Sequence, residues 1–226
     1  VFKCRHEDLM EVYALLVSVI SLMVSCVVVY LAYLKPANIE MIVGKVISFY
    51  PLPEQTGKGI EWGGVAFYIP LTFHNTSPKG AVVEEVRIIL EHKGLPNTNF
   101  DMSWFAFTQM HPEELRWVNK SVAQPIAVSG KQAVNEVVLF AWRKQSGQIL
   151  SIEPGEYEIK VLAWVVGDTK PSLKFSSSFI ISQEMSATHK EFMAKKHPMT
   201  VDVPLGESAR LNTVISRAQV KELYRV

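Results

Sequence analysis

Cysteine is nearly absent from this sequence. The 226 residues include 2 cysteines, Cys4 and Cys26, and both precede the part of the chain that is rich in strand-forming residues. That part therefore has no disulfide framework and no thiolate metal site. A domain without thiols suits an oxidising compartment.

The sequence also lacks an excess of charge of either sign. It has 23 basic and 22 acidic residues, spread along the chain without long blocks. Proteins that bind a phosphate backbone present a basic surface to it. We therefore expect no nucleic-acid partner.

Sequence motifs for catalysis and metal binding are missing too. No Gly-x-Ser-x-Gly elbow occurs, and the segment "AVSGKQ" lacks the first glycine and the Ser or Thr of a phosphate loop. Adjacent carboxylates such as Glu84 and Glu85 point to opposite faces of a strand, so they cannot share one acid–base site. We predict a protein that is not an enzyme and needs no cofactor or metal. No histidine pair has metal-ligand spacing among His74, His92, His111, His189 and His197.

What the sequence does contain is one long apolar run. Residues 12–34 include no charged side chain, and about 23 residues at 1.5 Å per residue cross the roughly 30 Å hydrocarbon core of a bilayer. The stretch "SLMVSCVVVYLAYLKP" has a cysteine where a lipoprotein signal is cut, but apolar residues follow Cys26 where polar ones are expected. The run favours a retained single-pass helix over a cleaved lipoprotein signal or a buried core helix.

The orientation of this helix is nearly undecided by charge. Lys3 and Arg5 precede the apolar run, while Lys35 and Lys45 follow it, so the positive-inside rule gives almost a tie. A short N-terminal segment ahead of a long domain is the usual arrangement of an uncleaved signal anchor. We therefore expect a single-pass protein of the bacterial inner membrane with its domain on the periplasmic side.

Small residues form one stripe along the predicted membrane helix. Their spacing of four, three, four and seven places them on one face, and close approach of two helices in lipid requires small side chains there. We predict that this face packs against another membrane helix, although serine and alanine are also common in membrane spans. The stripe consists of Ala14, Ser18, Ser21, Ser25 and Ala32.

The remainder of the chain has the two-residue period of strands, broken by Gly, Pro, Asn and Asp. Many short strands with frequent turns predict an all-β sandwich or barrel. The predicted strands are 38–48, 65–75, 82–92, 102–108, 122–128, 134–142, 156–166, 173–182 and 199–205. Pro70 removes a ladder donor from its strand, which predicts an edge strand or a bulge.

Three segments do not fit this strand pattern. Residues 49–64, "FYPLPEQTGKGIEWGG", are rich in Pro and Gly and predict a long surface loop. Residues 186–198 are charged and predict one or two helical turns. Ser216, with Gln219 at the capping-box position, predicts a short C-terminal helix. The predicted organisation is a tail (1–11), a membrane helix (12–34), a first strand and long loop (35–64), a β-sandwich (65–205) and a C-terminal tail with a short helix (206–226).

Three stretches in succession resemble a known class of module. These are "YIPLTFHNTSPKGAVVEEVRIIL", "PIAVSGKQAVNEVVLFAW" and "IEPGEYEIKVLAWV", and they are similar to the immunoglobulin-like β-sandwich modules of membrane-anchored bacterial proteins. The resemblance covers residues 65–182 and implies an antiparallel sandwich and export, but no activity. We do not expect the tyrosine corner or the Cys-Trp-Cys pattern of antibody domains, because the domain has no cysteine.

Aromatic residues are concentrated in sequence that looks irregular. They either cap the open end of the core or form an exposed contact patch for a partner or a glycan. The candidate patch is Trp62, Trp104, Phe105, Phe107 and Trp117.

Together these features predict a non-catalytic, membrane-anchored interaction or assembly module, an accessory subunit of an envelope complex. Its expected partners are the lipid bilayer and other membrane subunits or a second copy of itself. The alternative is a ligand- or glycan-binding sandwich that uses its aromatic loops. A well-formed aromatic pocket would favour this alternative over a flat contact patch, and a cleft with a converging acid, base and nucleophile would favour an enzyme.

Overall fold

The fold is taken from a computed structural model, and it is mostly β with one long N-terminal helix and one short helix. The structure describes residues 2–56, 59–95, 99–111, 113, 116–143, 148–195 and 199–206. The helices are α1 (Phe2–Val29) and α2 (Gln183–Lys195). The strands are β1 (Ile39–Val43), β2 (Val46–Thr56), β3 (Gly59–Asn75), β4 (Ala81–His92), β5 (Asn99–His111), β6 (Arg116–Val122), β7 (Ile126–Val128), β8 (Ala133–Arg143), β9 (Gly155–Val165), β10 (Leu173–Ile181) and β11 (Val201–Pro204).

The apolar run predicted to cross a membrane is helical throughout. Helix α1 continues into a π-helical turn, Tyr30–Leu34, and Lys35 leaves the helix with an extended ψ of 126°, as a residue before proline prefers. The segment Met10–Leu34 is 25 residues long, and none of its most apolar window is buried against the rest of the protein. It is a helix long and apolar enough to span a membrane.

The strands form one antiparallel sheet that nearly closes into a barrel. Their order is β10-β9-β4-β5-β8-β3-β2-β11, with β1 added on β3, β6 on β5 and β7 on β4. Strand β5 connects the two halves of the sheet, because its first half pairs with β4 and its second half with β8. The two ends of the sheet also meet: the Gly206 N–H, just after β11, donates to the Ser178 oxygen of β10 over 2.8 Å.

The interior of this near-barrel is one hydrophobic core. Phe67 and Phe140 come from β3 and β8, Ile88 and Val161 come from β4 and β9, and all four are fully buried. Burial of such a side chain stabilises the fold by about 1.5–3 kcal/mol. The core therefore holds the two halves of the sheet together across β5.

The segment 49–64 is not the predicted surface loop. It is a hairpin in which β2 pairs with β3 from Thr56↔Gly59 onward. Pro51 and Pro53 are tolerated because β11 covers the other side of β2 only as far as Phe49, so beyond that point the described strands leave this edge unpaired. A register shift between Leu52 and Pro53 marks a bulge.

Proline also explains why the first predicted strand is divided. The expected strand 38–48 breaks at Gly44, where the Gly44 N–H donates to the Pro70 oxygen over 2.8 Å. In a strand, the N–H and C=O of one residue face the same neighbouring strand. Because the Pro70 oxygen accepts from Gly44, the N–H that proline lacks would also have faced the break between β1 and β2. Strand β3 is paired on both sides, with no register shift against β8 at Pro70. Of the two predicted alternatives, an edge strand or a bulge, neither is found, and the irregularity is the break between β1 and β2.

Two smaller expectations also differ from the structure. The predicted strand 122–128 is two strands, β6 and β7. Helix α2 is longer than one or two turns, and it begins where the Ser182 hydroxyl accepts the Met185 N–H over 3.1 Å. The predicted C-terminal helix lies outside the described residues.

A tyrosine corner is present at the start of β9, contrary to our expectation. The Tyr157 hydroxyl donates to the Glu153 oxygen over 2.9 Å and accepts the Glu153 N–H over 3.1 Å. The corner needs a buried tyrosine after a tight turn and does not need a cysteine. Gly155 permits the turn, since a Cβ there would lie 2.4 Å from Nε2 of His92.

Candidate functional site

A pocket of about 600 Å³ lies at one end of the near-barrel. Four parts of the chain surround it: the β2–β3 hairpin, the end of β8, the segment 148–152 before β9, and helix α2. Its walls are mainly apolar. The apolar side chains are Trp62, Val65, Trp142, Ile149, Leu150, Ile152 and Met193.

The pocket lies at the end of the strands opposite to the point at which the chain leaves helix α1. Strand β1 begins at Ile39, which pairs with Asn75 at one end of β3. Gly64, near the other end of β3, lines the pocket. Eleven residues separate these positions, and at about 3.3 Å per residue the distance along the strand is about 35 Å. The pocket is therefore remote from the point at which the chain leaves the helix.

Hydrogen bonds fix both tryptophans of the pocket. The Trp62 indole N–H donates to the Met193 oxygen over 2.5 Å, which ties the hairpin to α2. The Trp142 indole N–H donates to the Gln148 oxygen over 2.8 Å. Because the polar atom of each indole is satisfied by the main chain, the rings contribute apolar surface to the pocket.

Gly64 allows the floor of the pocket to close. A Cβ at this position would lie 1.8 Å from the Trp142 oxygen, and its φ is 149°. Only glycine permits β3 and β8 to approach this closely.

Helix α2 places His189 in the wall of the pocket. The Ser186 hydroxyl donates to the Ile152 oxygen over 2.8 Å, and Lys190 pairs with Glu153 over 2.8 Å. These two bonds dock the helix on the segment before β9. One turn beyond Ser186, on the same face, His189 is only 2% exposed, and its ring centre lies 5.2 Å from that of Phe49.

His189 is a buried polar side chain without a described partner. Its Nδ1 makes no hydrogen bond among the described residues. Burial, with a smaller contribution from Lys190, lowers the pKa of His189 to about 4. The imidazole is therefore neutral near pH 7.

The charged groups at the rim largely neutralise one another. The hydrogen bond from Lys190, followed by that from Ser151, lowers the pKa of Glu153 and so favours its ionised form. Glu61 adds a carboxylate to the lining. The described rim therefore presents no unpaired lysine to an anion.

The five aromatic residues of the predicted contact patch are separated in the structure. Trp62 lines the pocket, Phe107 is core, and Trp104 packs on the core with its ring centre 5.7 Å from that of Phe107. Phe105 is 43% exposed, with the Arg143 guanidinium 5.0 Å from its ring. Trp104, Phe105 and Phe107 belong to strand β5, which has register shifts between Trp104 and Ala106 and between Phe107 and Thr108.

Trp117 belongs to a second cluster on the outer face of the sheet. Its ring lies 5.2 Å from that of Tyr68, which in turn stacks 5.0 Å from Tyr50. Burial raises the pKa of both tyrosine hydroxyls. The cluster also contains buried Ala66, Ala106 and Leu139.

Two serine hydroxyls of the small-residue stripe are satisfied within helix α1. The Ser18 hydroxyl donates to the Ala14 oxygen and the Ser25 hydroxyl to the Ser21 oxygen, each over 2.8 Å. Ala32 lies in the π-helical turn. Packing of this face against another helix stays a prediction.

Sequence reasoning identified Trp62 as a candidate but missed Trp142, Met193 and His189. His189 was considered only as a metal ligand, and its lone position in the sequence argued against that. The available signal was the helical spacing of Ser186, His189 and Met193, which places them along one face of α2.

The described residues contain no group of three or more His, Cys, Asp or Glu side chains that could hold a metal ion. No protein-family model and no curated protein sequence matches this chain.

Proposed function

We propose that this protein is a membrane-anchored, non-catalytic binding module whose β-domain receives a small apolar ligand in the pocket. The observation that carries this proposal is the pocket itself. Its volume of about 600 Å³ lies within the range of about 300–1,000 Å³ that is usual for small-molecule sites. Apolar walls with few polar groups are equally typical of such sites.

The experiment uses the full chain in lipid nanodiscs, with ¹³C-labelled methionine methyl groups. Met193 lines the pocket, whereas Met23 lies in the apolar helix and is exposed to its surroundings. Titration with 1-methylnaphthalene should shift the Met193 resonance in a saturable way. Shifts confined to Met23 would mean that the compound enters only the lipid, and the proposal would fail.

A second candidate function is assembly with other membrane proteins, as an accessory subunit of an envelope complex or a homo-oligomer. The observation that favours it is the helix, since none of its apolar window is buried against the β-domain. Isolation of the intact protein from native membranes in mild detergent, followed by mass spectrometry of what accompanies it, tests this candidate. Recovery of the chain alone as a monomer would argue against it.

We also propose that the β-domain is an immunoglobulin-like sandwich. The strands β10, β9 and β4 lie on one side of the core and β8, β3 and β2 on the other. The Tyr157 corner supports the proposal, because it occupies the start of a central strand, as in immunoglobulin domains.

The proposed location is the bacterial inner membrane, with the β-domain in the periplasm. The absence of cysteine between residues 35 and 226 is consistent with an oxidising compartment. A fusion of alkaline phosphatase after Val226 should be active in a bacterial host. An inactive phosphatase, with an active cytoplasmic reporter at the same position, would reverse the topology.

A further inference from the structure

The chemistry of the pocket narrows the class of ligand, provided that the pocket is the binding site proposed above. The walls are apolar, but His189 lies among them at 2% exposure with no hydrogen bond to Nδ1 among the described residues. A buried polar group without a partner is costly, and most such groups are paired in native proteins. A bound molecule whose polar group reaches this nitrogen would remove the cost.

The polar group of the ligand has to suit a neutral imidazole. A neutral histidine has one nitrogen that donates and one that accepts a hydrogen bond. A hydroxyl both donates and accepts, so it can bond to either nitrogen. A hydroxyl is therefore the simplest group that matches His189 in either tautomer.

The surroundings of the pocket disfavour an anionic ligand. Lys190 is already paired with Glu153 over 2.8 Å, and Glu61 lines the same pocket. Transfer of an ionised group into apolar walls without a paired countercharge is strongly unfavourable. The ligand should therefore carry no negative charge.

We infer that the pocket selects a neutral, largely apolar molecule whose hydroxyl group hydrogen-bonds to His189. The apolar body fills the space between the Trp62 and Trp142 rings, and the hydroxyl lies against α2.

Three naphthalenes of the same ring size test this inference. They are 1-naphthol, which has a hydroxyl, 1-methylnaphthalene, which has none, and 1-naphthalenesulfonate, which is an anion. With the full chain in nanodiscs and the Met193 methyl group as the reporter, naphthol should bind roughly three- to tenfold more tightly than methylnaphthalene, the usual range for one net hydrogen bond. The sulfonate should bind more weakly than both.

The His189→Phe variant is the matched control. Phenylalanine keeps an aromatic ring against Phe49 but removes both nitrogens, so naphthol should lose its advantage over methylnaphthalene. A ¹⁵N-histidine spectrum of the wild-type chain gives a second measurement that does not depend on the folding of the variant. Naphthol should shift the histidine that titrates near pH 4, and methylnaphthalene should leave its nitrogen resonances nearly unchanged.

The outcomes separate this inference from the proposed function. If neither neutral naphthalene shifts Met193, the pocket is not a small-molecule site and both ideas fail. If both bind equally to the wild-type chain, the binding module stands and the role of His189 is overturned. Tighter binding of the sulfonate would overturn the choice of a neutral ligand.

Discussion

The indole N–H of Trp62 donates a hydrogen bond to the main-chain oxygen of Met193 over 2.5 Å. This bond joins the β2–β3 hairpin to α2, two walls of the same pocket. Trp62→Phe keeps an aromatic ring but removes the donor, and we expect a loss of about 1 kcal/mol in the free energy of unfolding of the β-domain.

Urea unfolding of the full chain in nanodiscs measures this loss. Trp164→Phe is the control, because the Trp164 indole has no hydrogen bond among the described residues and is partly buried, with Arg87 5.6 Å from its ring. An equal loss in both variants would mean that the Trp62 bond contributes nothing specific.

Trp104 and Phe105 are neighbours in β5 with opposite surroundings, so they test whether the aromatic residues cap the core. Trp104 packs on the core and Phe105 is exposed. Trp104→Ala should cost about 3 kcal/mol, the lower end of the range for large aromatic residues, whereas Phe105→Ala should cost well under half of that. Thermal melts of the two variants decide, and an unchanged midpoint for Trp104→Ala would show that this side chain is not part of the core.

Stability should depend on pH through His189. Its pKa is lowered to about 4 in the folded protein, from an ordinary value of 6.5, so the unfolded chain takes up the proton first as the pH falls. The contribution of His189 is therefore complete above pH 6.5 and is lost progressively towards pH 4.

The difference in unfolding free energy between the wild-type chain and His189→Phe isolates this contribution, because the other histidines are common to both. The difference should shift in favour of the variant as the pH falls from 7 to about 4. A difference that stays constant over this window would contradict a buried, neutral His189.

Replacement of Ser18, Ser21 and Ser25 by Leu tests the small-residue face of α1. The hydroxyls of Ser18 and Ser25 already bond within the helix, so the change acts mainly by preventing close approach of a second helix. Co-purification of membrane partners, or self-association in a membrane two-hybrid assay, should fall at least several-fold. The matched control is Val12, Val19 and Val27→Leu on the opposite face; equal effects, or no effect of the serine changes, would refute the packing face.

Strand β9 was readable because buried positions alternate with partly buried ones from Tyr157 to Ala163. The β2–β3 hairpin was missed because Pro51 and Pro53 argue against a strand unless one edge is unpaired, and the pairing of that edge is a tertiary property. The same holds for Pro70. It has no backbone N–H to donate, and this position faces the break between β1 and β2.

The pocket was harder to predict than the fold. Trp62, Trp142 and His189 come from three elements far apart in sequence, and only the sheet order and the docking of α2 bring them together. The Tyr157 corner was a different case: "EPGEY" was recognised as a turn, but the hydroxyl's bonds to Glu153 depend on the conformation of that turn.

Intermolecular nuclear Overhauser effects between bound 1-naphthol and the full chain in nanodiscs show where the ligand binds. We expect contacts from the naphthalene protons to the Met193 methyl group and to the Trp62 and Trp142 rings, with none to Met110 in a separate groove on the outer face. Contacts to Met110 or to Met23 in the helix, without contacts to Met193, would contradict this expectation.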